Sequence, residues 1–319
     1  MVILLGKIPL IKLIAKLEME SEVYDKLAKI GILTVEDLLL TPSEKIREKT
    51  GLPRRVIRKL IEEAGQLIEI KAESAYQVAR YMEENIAYIT TGSRMLDEIL
   101  GGGIETSSIT EVFGPYGAGK TQLAMQLCVN VQLPKAQGGL SSGALYVDTE
   151  GAFSPRRVAE IARLRGMNSD HALSNIKVIR VLSASHQHAI VSSIDKVVHS
   201  SSIKLVVVDS LLHHYRSEYP DLHMLPARQQ AIREELSWLA RVAESFNLAV
   251  LITNHVLSPI KSGRLENAVG GHTLAHLPKT RVYIRKGPDN IRIARVVDSP
   301  TLPEREAPFK ITEAGVEDI

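Results

Sequence analysis

A glycine-rich stretch with a lysine and a threonine is the segment whose residue spacing most directly indicates chemistry. It reads GPYGAGKT, Gly114 to Thr121, and it joins the apolar run SSITEVF to the helix-like run QLAMQLC. Glycines at this spacing let backbone N–H groups wrap a phosphate chain, and the N-terminus of the next helix adds partial positive charge. We predict that Lys120 reaches the β and γ phosphates of a nucleotide and that Thr121 binds Mg²⁺. The alternative is a glycine turn followed by an incidental Lys-Thr pair.

Carboxylates that end two apolar runs could complete such a site. Asp209 ends KLVVVD, where a parallel sheet places its ligands, and would hold the metal through water. Glu150 follows ALYVDT, predicted to form the strand beside the phosphate-loop strand, and would position or deprotonate an attacking water. Asp148, predicted on the same strand face, is the rival candidate, although an aspartate at a strand end is often a cap.

The composition sets broad limits on the kind of protein. With 319 residues, 45% of them hydrophobic, the chain can bury a large core and a second, smaller one. A net charge of +2 means that nucleic-acid contacts must come from local basic patches. The single cysteine, Cys128, excludes an internal disulfide and a cysteine metal cluster, and favours a reducing intracellular location.

The N-terminal third predicts a small helical unit followed by a linker. MVILLGKIPLIKLIAKL is interrupted by lysines before it reaches the length of a membrane span, so we interpret it as a packing segment or a first helix. Gly31 and Gly51 stand where helices end, and Thr34 and Thr41 where N-caps would begin the next ones. We predict a helical domain over residues 1–66, a linker over 67–85 and a larger domain over 86–319.

The larger segment alternates apolar runs with amphipathic helical runs. Strands that are apolar throughout, separated by helices, predict an α/β fold with a mostly parallel sheet covered on both faces. TRVYIRKGPDNIRIARVVDSP differs, because it predicts a hairpin around Gly287 to Asn290 that extends the sheet with an antiparallel edge. The histidine pairs His186/His188 and His213/His214 lack surrounding ligands at metal-binding spacing, which favours ordinary roles for them.

Long motifs over nearly the whole chain resemble the RecA/RadA recombinase family, most closely its archaeal RadA branch and the eukaryotic counterparts. They include TTGSRMLDEILGGGIETSSITEVFGPYGAGKTQLAMQLCVNVQLP, VDTEGAF, VVVDSLLHHYRSEY, ARQQ, GGHTLAH and VVDSPTLPE. The resemblance implies a RecA-like P-loop ATPase core with a small all-α helix-hairpin-helix N-terminal domain. It implies a DNA-dependent ATPase that uses ATP and Mg²⁺, forms filaments on single-stranded DNA, and promotes homologous pairing and strand exchange with double-stranded DNA in repair. It further implies self-association into filaments or rings, recombination mediators as partners, no membrane, and a cytoplasmic, nucleoid-associated location.

The resemblance also implies roles for individual residues at the nucleotide. Glu150 and Lys120 would be catalytic, Asp209 would complete the Mg²⁺ site, and Arg157 matches the arginine whose plane lies on the adenine. His276 matches a residue near the γ-phosphate. The cap that a neighbouring subunit places over the nucleotide corresponds to Asp298, Ser299 and Pro300. The nucleotide-binding segment would comprise Gly114, Pro115, Tyr116, Gly117, Ala118, Gly119, Lys120, Thr121 and Gln122.

Other matched positions concern self-association and DNA. In YQVA, Tyr76 and Ala79 match a polymerisation motif that docks on the next subunit, whereas from the residues alone Tyr76 could simply pack on its own domain. Two DNA-binding loops would contain Arg216 and Arg228 in the first, and Lys261 and Arg264 in the second. A basic hairpin near TGLPRR would contact phosphates without reading sequence, the alternative being an ordinary solvated surface; it carries Lys49, Arg54, Arg55, Arg58 and Lys59.

The chain also departs from the family pattern. His255 stands where the family has a glutamine that links the γ-phosphate to the second DNA loop, and Ser154 replaces an arginine on the adenine side. The first DNA loop has PDL, residues 220–222, in place of a Gly-Arg pair, and the second loop lacks aromatic residues. These departures keep open a RecA-like paralogue or mediator that binds ATP and DNA and assists filament assembly with weak or no strand exchange. A hexameric RecA-fold helicase or a clock-type ATPase would not be expected to combine YQVA, the helical unit and the DSP cap.

Overall fold

Two units divide the chain, Met1–Val78 and Ala79–Ile319, and each is described by itself. The computed structural model describes residues 8–67, 72–199, 201–256 and 277–319. Lys261, Arg264 and His276, which carry predicted roles, lie outside the described residues. No helix among the described residues combines the length and apolar character needed to cross a membrane.

The first unit consists of short helices around one apolar core. They are α1 (Leu10–Lys16), α2 (Ser21–Lys29), α3 (Val35–Leu40), α4 (Ser43–Thr50), α5 (Arg54–Leu67) and the start of α6 (Ala75–Asn85). The first apolar segment does contribute a helix, because Leu10, Leu13 and Ile14 of α1 lie in the core with Leu38 and Leu60. The predicted first helix is thus confirmed for residues 10–16.

Capping residues fix where these helices begin and end. Thr34 forms a reciprocal capping box with Asp37, so its predicted role as an N-cap is confirmed. The same prediction for Thr41 is wrong, since Thr41 ends α3 and Pro42 precedes α4. The Thr41 hydroxyl donates to the Asp37 carbonyl at 2.6 Å, which satisfies an end of the preceding helix instead of the start of the next.

The turn between α4 and α5 is the predicted hairpin region. Gly51 adopts a left-handed conformation at φ 67°, which ends α4 and turns the chain toward Pro53 and α5. Arg54 pairs with Glu44 at 2.7 Å and Arg58 with Glu62 at 3.1 Å, all four side chains being exposed. The surface near the hairpin therefore carries both charge signs, and phosphate contact there stays a prediction.

The second unit is built on a twisted sheet of nine strands within the described residues. Its strands are β3 (Ser108–Gly114), β4 (Gly143–Asp148), β5 (Ile176–Arg180), β6 (Ile203–Asp209), β7 (Ala249–His255), β8 (Thr280–Lys286), β9 (Ile291–Asp298), β10 (Glu306–Thr312) and β11 (Gly315–Glu317), in the order β11-β10-β9-β8-β3-β7-β6-β4-β5. A two-stranded pair, β1 (Tyr88–Ile89) and β2 (Ile104–Glu105), precedes them. In this spatial order, β8, β3, β7, β6, β4 and β5 pair in parallel. The remaining strands, β9, β10 and β11, form an antiparallel edge next to β8. The predicted α/β class, mostly parallel sheet and hairpin are confirmed.

Helices cover both faces of this sheet. They are α7 (Arg94–Ile99), α8 (Lys120–Asn130), α9 (Pro155–Leu164), α10 (Ser169–Ser174), α11 (Ala184–Val191), α12 (Ile194–His199), α13 (His213–Glu218) and α14 (Leu225–Phe246). Alternate residues of the strands enter two separate cores: Tyr146 and Val207 pack with α8, whereas Leu145 and Val208 pack with α14. A strand with two buried faces must be apolar throughout, which explains the uninterrupted apolar runs.

One polar side chain inside α8 ties this helix to the sheet edge. Gln126 is fully buried, donates to the carbonyl oxygens of Thr91 at 2.5 Å and Val316 at 2.9 Å, and accepts the Val316 N–H. Its amide thereby satisfies backbone groups that would otherwise be buried without partners, each costing about 1–3 kcal/mol. These bonds hold β11 against the helix that begins at the phosphate loop.

Candidate nucleotide site

The loop Pro115 to Gly119 leaves the end of β3 and enters α8 as the sequence predicted. Gly114 needs to lack a side chain, because a Cβ there would lie 2.1 Å from the Ile284 carbonyl oxygen of the neighbouring strand. Gly119 adopts φ 105° immediately before α8, where a Cβ would meet Ile311 at 2.4 Å. The backbone can therefore turn tightly and present the free N–H groups of an 11-residue helix at the loop.

Lys120, the first residue of α8, is folded back onto this loop. Its Nζ donates to the carbonyl oxygens of Gly114 at 2.9 Å and Pro115 at 3.0 Å, and its side chain is buried. Burial lowers the pKa of this ammonium group, while the carboxylates of Asp209 and Glu150 oppose that shift. A buried cation that donates its hydrogen bonds to carbonyl oxygens is suited to exchange those contacts for an anionic ligand.

Asp209 lies at the buried end of β6 and is held from the strands on both sides. The Tyr146 hydroxyl of β4 donates to Oδ2 at 2.5 Å, and the Thr253 hydroxyl of β7 donates to Oδ1. Burial raises the pKa of this carboxyl, whereas the hydrogen bonds from Thr253, Tyr146 and Thr121 oppose the rise. The carboxylate is thus oriented by its neighbours and connected to the hydroxyl of Thr121.

The donor set at Thr121 and Asp209 fits a hard divalent cation. Mg²⁺ prefers oxygen ligands and keeps several waters, so a hydroxyl beside a carboxylate matches its chemistry. Both Asp209 oxygens already accept hydrogen bonds, which suits a contact through water more than direct ligation. A cation would also favour the ionised form of a carboxyl whose pKa burial has raised.

Glu150 lies two residues beyond the end of β4 and contacts a histidine from another strand. Its Oε1 is 3.0 Å from Nε2 of His255 and 3.9 Å from Nδ1 of His213. The hydrogen bond from His255 is the main cause that lowers the pKa of Glu150 to about 2, with burial opposing and the charge of both imidazoles contributing. In the described arrangement Glu150 is therefore an ionised carboxylate oriented by His255.

The predicted position of the Glu150 strand is wrong. The strands β7 and β6 lie between the phosphate-loop strand β3 and β4, because the crossover through α8 passes over two strand positions. Glu150 nevertheless faces the same cleft as Lys120 because it lies beyond the end of β4. A strand further away in the sheet thus contributes to the same site.

Asp148, the rival of Glu150, has a different environment. Its Oδ1 accepts the N–H groups of Gly151 at 2.7 Å and Ala152 at 3.1 Å, and lies 3.1 Å from the Arg180 guanidinium. These contacts hold the turn that carries Glu150. The side chain acts as the strand-end cap that the sequence left open as its alternative role.

Arg157, predicted to lie on the adenine, is bonded within its own chain. Its guanidinium donates to Gln122 Oε1 at 2.8 Å, to Glu160 at 2.6 Å, and to the carbonyl oxygens of Thr312 and Glu313. Ser154 caps α9 by accepting the Arg157 N–H at 3.2 Å. The arginine therefore connects α9 to the C-terminal strands, and adenine stacking stays a prediction.

The predicted cap lies at the end of β9, away from the residues that line the cleft. Asp298 and Pro300 are exposed, and the Ser299 hydroxyl is 3.4 Å from the Thr280 hydroxyl. Asp298 opposes Arg281 in the ladder between β9 and β8. If these three residues cover a nucleotide, that nucleotide must be bound by another molecule, as the resemblance implied.

The cleft itself encloses about 540 Å³ and brings together residues that are distant in sequence. Its lining consists of Tyr116, Gly117, Gly119, Lys120, Thr121, Gln122, Glu150, Gly151, Ala152, Asp209, His255, Asn290, Arg292 and Ile311. Sequence reasoning assigned no site role to Gly151, Ala152 or the last three residues, although it predicted the hairpin on which Asn290 and Arg292 lie. No local pattern shows that this hairpin closes one side of the phosphate loop.

The predicted DNA segment begins after β6. Arg216 is exposed on α13, and Arg228 on α14 donates to the Tyr219 carbonyl at 3.3 Å. The latter bond joins the two helices across the segment that contains Pro220. Arg216 is thus available at the surface, whereas Arg228 is partly engaged within the chain.

Comparison with known proteins gives consistent matches. The Rad51 family model matches residues 82–319. The protein named DNA repair and recombination protein RadA from Aeropyrum pernix is 46% identical over 295 residues, 92% of this chain and 92% of the relative. The protein of the same name from Ignicoccus hospitalis is 45% identical over 301 residues, covering 92% of this chain and 91% of the relative. The similarity extends N-terminally beyond the family match and along almost the full length of both chains.

Proposed function

Since the chain belongs to the Rad51 family, we propose that it is an ATP-dependent recombinase that forms filaments on single-stranded DNA and promotes homologous pairing and strand exchange in DNA repair. The observation that carries this proposal is the convergence of Lys120, Thr121, Asp209 and Glu150 on one cleft at the carboxyl ends of parallel strands. This is where an open α/β sheet binds its ligands. A cytoplasmic, nucleoid-associated location follows from this function and stays a prediction.

The chain's own residues account for the steps of ATP hydrolysis. The backbone N–H groups of the loop and the ammonium group of Lys120 would hold the phosphates, exchanging the carbonyl contacts of the free state for charged oxygens. Thr121 and Asp209 would hold Mg²⁺, which neutralises charge on the phosphate oxygens when bound. Glu150 would orient the attacking water, and His255 holds that carboxylate in place.

One observation favours the paralogue or mediator as a second candidate. His255 is bonded to the catalytic carboxylate at 3.0 Å, whereas the family glutamine at this position is uncharged. This contact occupies a Glu150 oxygen that would otherwise be available to the attacking water. In the second candidate, ATP binding persists while its coupling to strand exchange is weak.

A paired assay on the unmodified chain tests these alternatives. We expect ATP turnover that is stimulated by single-stranded DNA, together with exchange between a circular single strand and a homologous linear duplex. Stimulated turnover without exchange would assign the chain to the mediator class. Absence of both ATP binding and DNA stimulation would refute the two candidates together.

Self-association gives an independent prediction at the linker. Tyr76, 73% exposed, and Ala79 lie three residues apart on one face of α6, a helix without buried residues in the part of the chain described. Because an aromatic side chain at the centre of an interface contributes about 2 kcal/mol or more, Tyr76→Ala should weaken association at least about thirtyfold. Light scattering with ATP and Mg²⁺ would measure this.

A residue on the opposite side of α6 provides the control for that measurement. Tyr81 lies five residues after Tyr76, on the side of the helix that faces away from both Tyr76 and Ala79. Tyr81→Ala should leave the mass distribution unchanged. An unaltered distribution for Tyr76→Ala would instead mean that the tyrosine packs within its own domain.

A further inference from the structure

A buried carboxyl group that the nucleotide chemistry does not use lies beneath α13. Glu235 of α14 is 1% exposed. Its Oε1 accepts the Tyr215 hydroxyl at 2.7 Å and its Oε2 accepts the Gln187 amide at 2.9 Å. Because Tyr215 belongs to α13 and Gln187 to α11, one carboxyl group joins three helices.

These bonds fix the helix that presents Arg216. Tyr215 directly precedes Arg216, and its ring lies 6.0 Å from that of Tyr219 at the end of the helix. The Gln187 amide also donates to the Leu211 carbonyl at 2.9 Å, in the turn that leads into α13. Both the entry and the middle of α13 are therefore held by the hydrogen bonds around Glu235.

A second titratable group faces the same carboxyl. His188 Nδ1 lies 4.0 Å from Glu235 Oε1 and has no hydrogen-bond partner among the described residues, although 45% of the side chain is exposed. The ring therefore contacts solvent on one side and faces the buried carboxyl on the other. Burial raises the pKa of Glu235 to about 7, while the bonds from Tyr215 and Gln187 oppose the rise.

Other charged groups stand on the elements around this cluster. Glu218 lies on α13 and raises the pKa of Tyr215, although burial and Glu235 are the larger causes of that rise. Helix α12, which packs against α14, carries Asp195 and Lys196, and Glu234 precedes Glu235 on α14 itself. Their presence means that the pH response of Glu235 must be isolated by comparing variants.

We propose that Glu235 is a positioning residue for the DNA-binding segment: its ionised carboxylate braces Tyr215 and hence Arg216, and its protonation loosens that brace. The physical reason is that a hydroxyl bonds a carboxylate about twice as strongly as a neutral acceptor. The proposal rests on the proposed DNA function, because Arg216 is placed at DNA by that function. According to this proposal, the DNA affinity changes near neutral pH because of Glu235, which lies outside the nucleotide cleft.

The test uses the full chain and two variants that preserve side-chain shape. Glu235→Gln keeps the side-chain shape and one accepting oxygen, but it replaces the other oxygen with an NH2 donor and removes the charge. Glu234→Gln removes the same charge from the adjacent exposed position. Affinity for a labelled oligothymidylate, measured by fluorescence anisotropy at constant salt from pH 6 to 8.5, is compared among them. We expect the ratio of wild-type to Glu235→Gln affinity to rise about fivefold across pH 7, and Glu234→Gln to follow the wild type.

A readout without DNA separates this proposal from the proposed function. The chain has one tryptophan, Trp238, which lies one turn after Glu235 on α14. Its fluorescence should change near pH 7 in the wild type and in Glu234→Gln but not in Glu235→Gln. A wild type that shows this transition yet binds no single-stranded DNA at any pH would refute the DNA function and, with it, the positioning role.

Two further outcomes would overturn the proposal itself. One is a Glu235→Gln variant whose Trp238 fluorescence and DNA affinity follow the wild type over the whole pH range. The other comes from Tyr215→Phe, which removes the hydroxyl and keeps the buried ring. This variant also tests the proposal if Glu235→Gln does not fold. We expect Tyr215→Phe to bind DNA about fivefold more weakly than the wild type at pH 8, and equal binding would contradict the brace.

Discussion

Lys120→Ala is expected to lower ATP turnover roughly 10²- to 10³-fold and to abolish nucleotide-dependent assembly, the effect typical of losing a charge-stabilising donor. The ammonium group lies within 3.0 Å of two loop carbonyl oxygens, at the start of the helix that faces the phosphate site. An alanine cannot neutralise phosphate charge there. Because the resemblance implies that a neighbouring subunit caps the nucleotide, loss of nucleotide binding should also remove ATP-dependent filaments.

The same substitution should not destabilise the fold of the protein in the absence of ligand. Lys120 is a buried cation that contacts two carbonyl oxygens; burial lowers the pKa of its ammonium group, and the charges of Asp209 and Glu150 oppose that shift. Truncation to alanine removes the unfavourable burial together with this attraction and some packing, which are effects of opposite sign. We therefore expect the unfolding temperature of the ligand-free protein to be unchanged or slightly higher.

Thermal unfolding with and without ATP and Mg²⁺ measures both effects. A ligand at 100 times its dissociation constant stabilises the folded state by about 2.7 kcal/mol, so the wild-type transition should shift upward and that of Lys120→Ala should not. Lys135→Ala, at an exposed lysine of the 135–137 turn, is the matched control and should keep the shift. Filaments formed by Lys120→Ala with ATP would refute the proposed dependence of filament assembly on bound nucleotide.

Local signals in the sequence were sufficient for the elements that carry the site. The apolar runs correctly predicted the strands β3, β6 and β7, and the glycine spacing correctly predicted the loop before Lys120. Asp209 ends its strand, as predicted. These features depend on residues near one another in the chain. The match between uninterrupted apolar runs and strands buried on both faces has the same local origin.

Features that depend on residues far apart in the chain could not be predicted in this way. The order of strands places β7 and β6 between β3 and β4, and a crossover helix leaves no mark in its sequence of how many strands it passes. The contact of His255 with Glu150 and the closure of the cleft by Arg292 likewise join segments over 100 residues apart. Such pairings are set by packing of the whole sheet.

Glu150→Gln should lower ATP turnover about 10²- to 10⁴-fold while leaving ATP binding intact, because a general base typically contributes that factor. The amide can still accept a hydrogen bond from His255 and hold the turn after β4, but it cannot take a proton. The chain should therefore remain in its ATP-bound state, with long-lived filaments on single-stranded DNA. Single-turnover hydrolysis and nucleotide binding measured on the same sample separate the two effects.

The bond to His255 decides how Glu150 can act. A carboxylate with a pKa near 2 is a weak base, so proton abstraction requires that nucleotide binding loosens the His255 contact, whereas orienting water does not. Since this pKa is lowered, the bond stabilises the fold above about pH 4.5 and is lost as the pH falls toward 2.

His255→Gln tests the choice between these two roles, because an amide keeps one hydrogen bond without charge. If abstraction limits turnover, His255→Gln raises the pKa of Glu150 and increases the rate; if orientation limits turnover, the rate stays level. His171→Gln, the same substitution at an exposed position on α10, is the matched control and should leave turnover unchanged. A Glu150→Gln variant that hydrolyses ATP at the wild-type rate would exclude proton abstraction by Glu150 and return attention to Asp148 as the base.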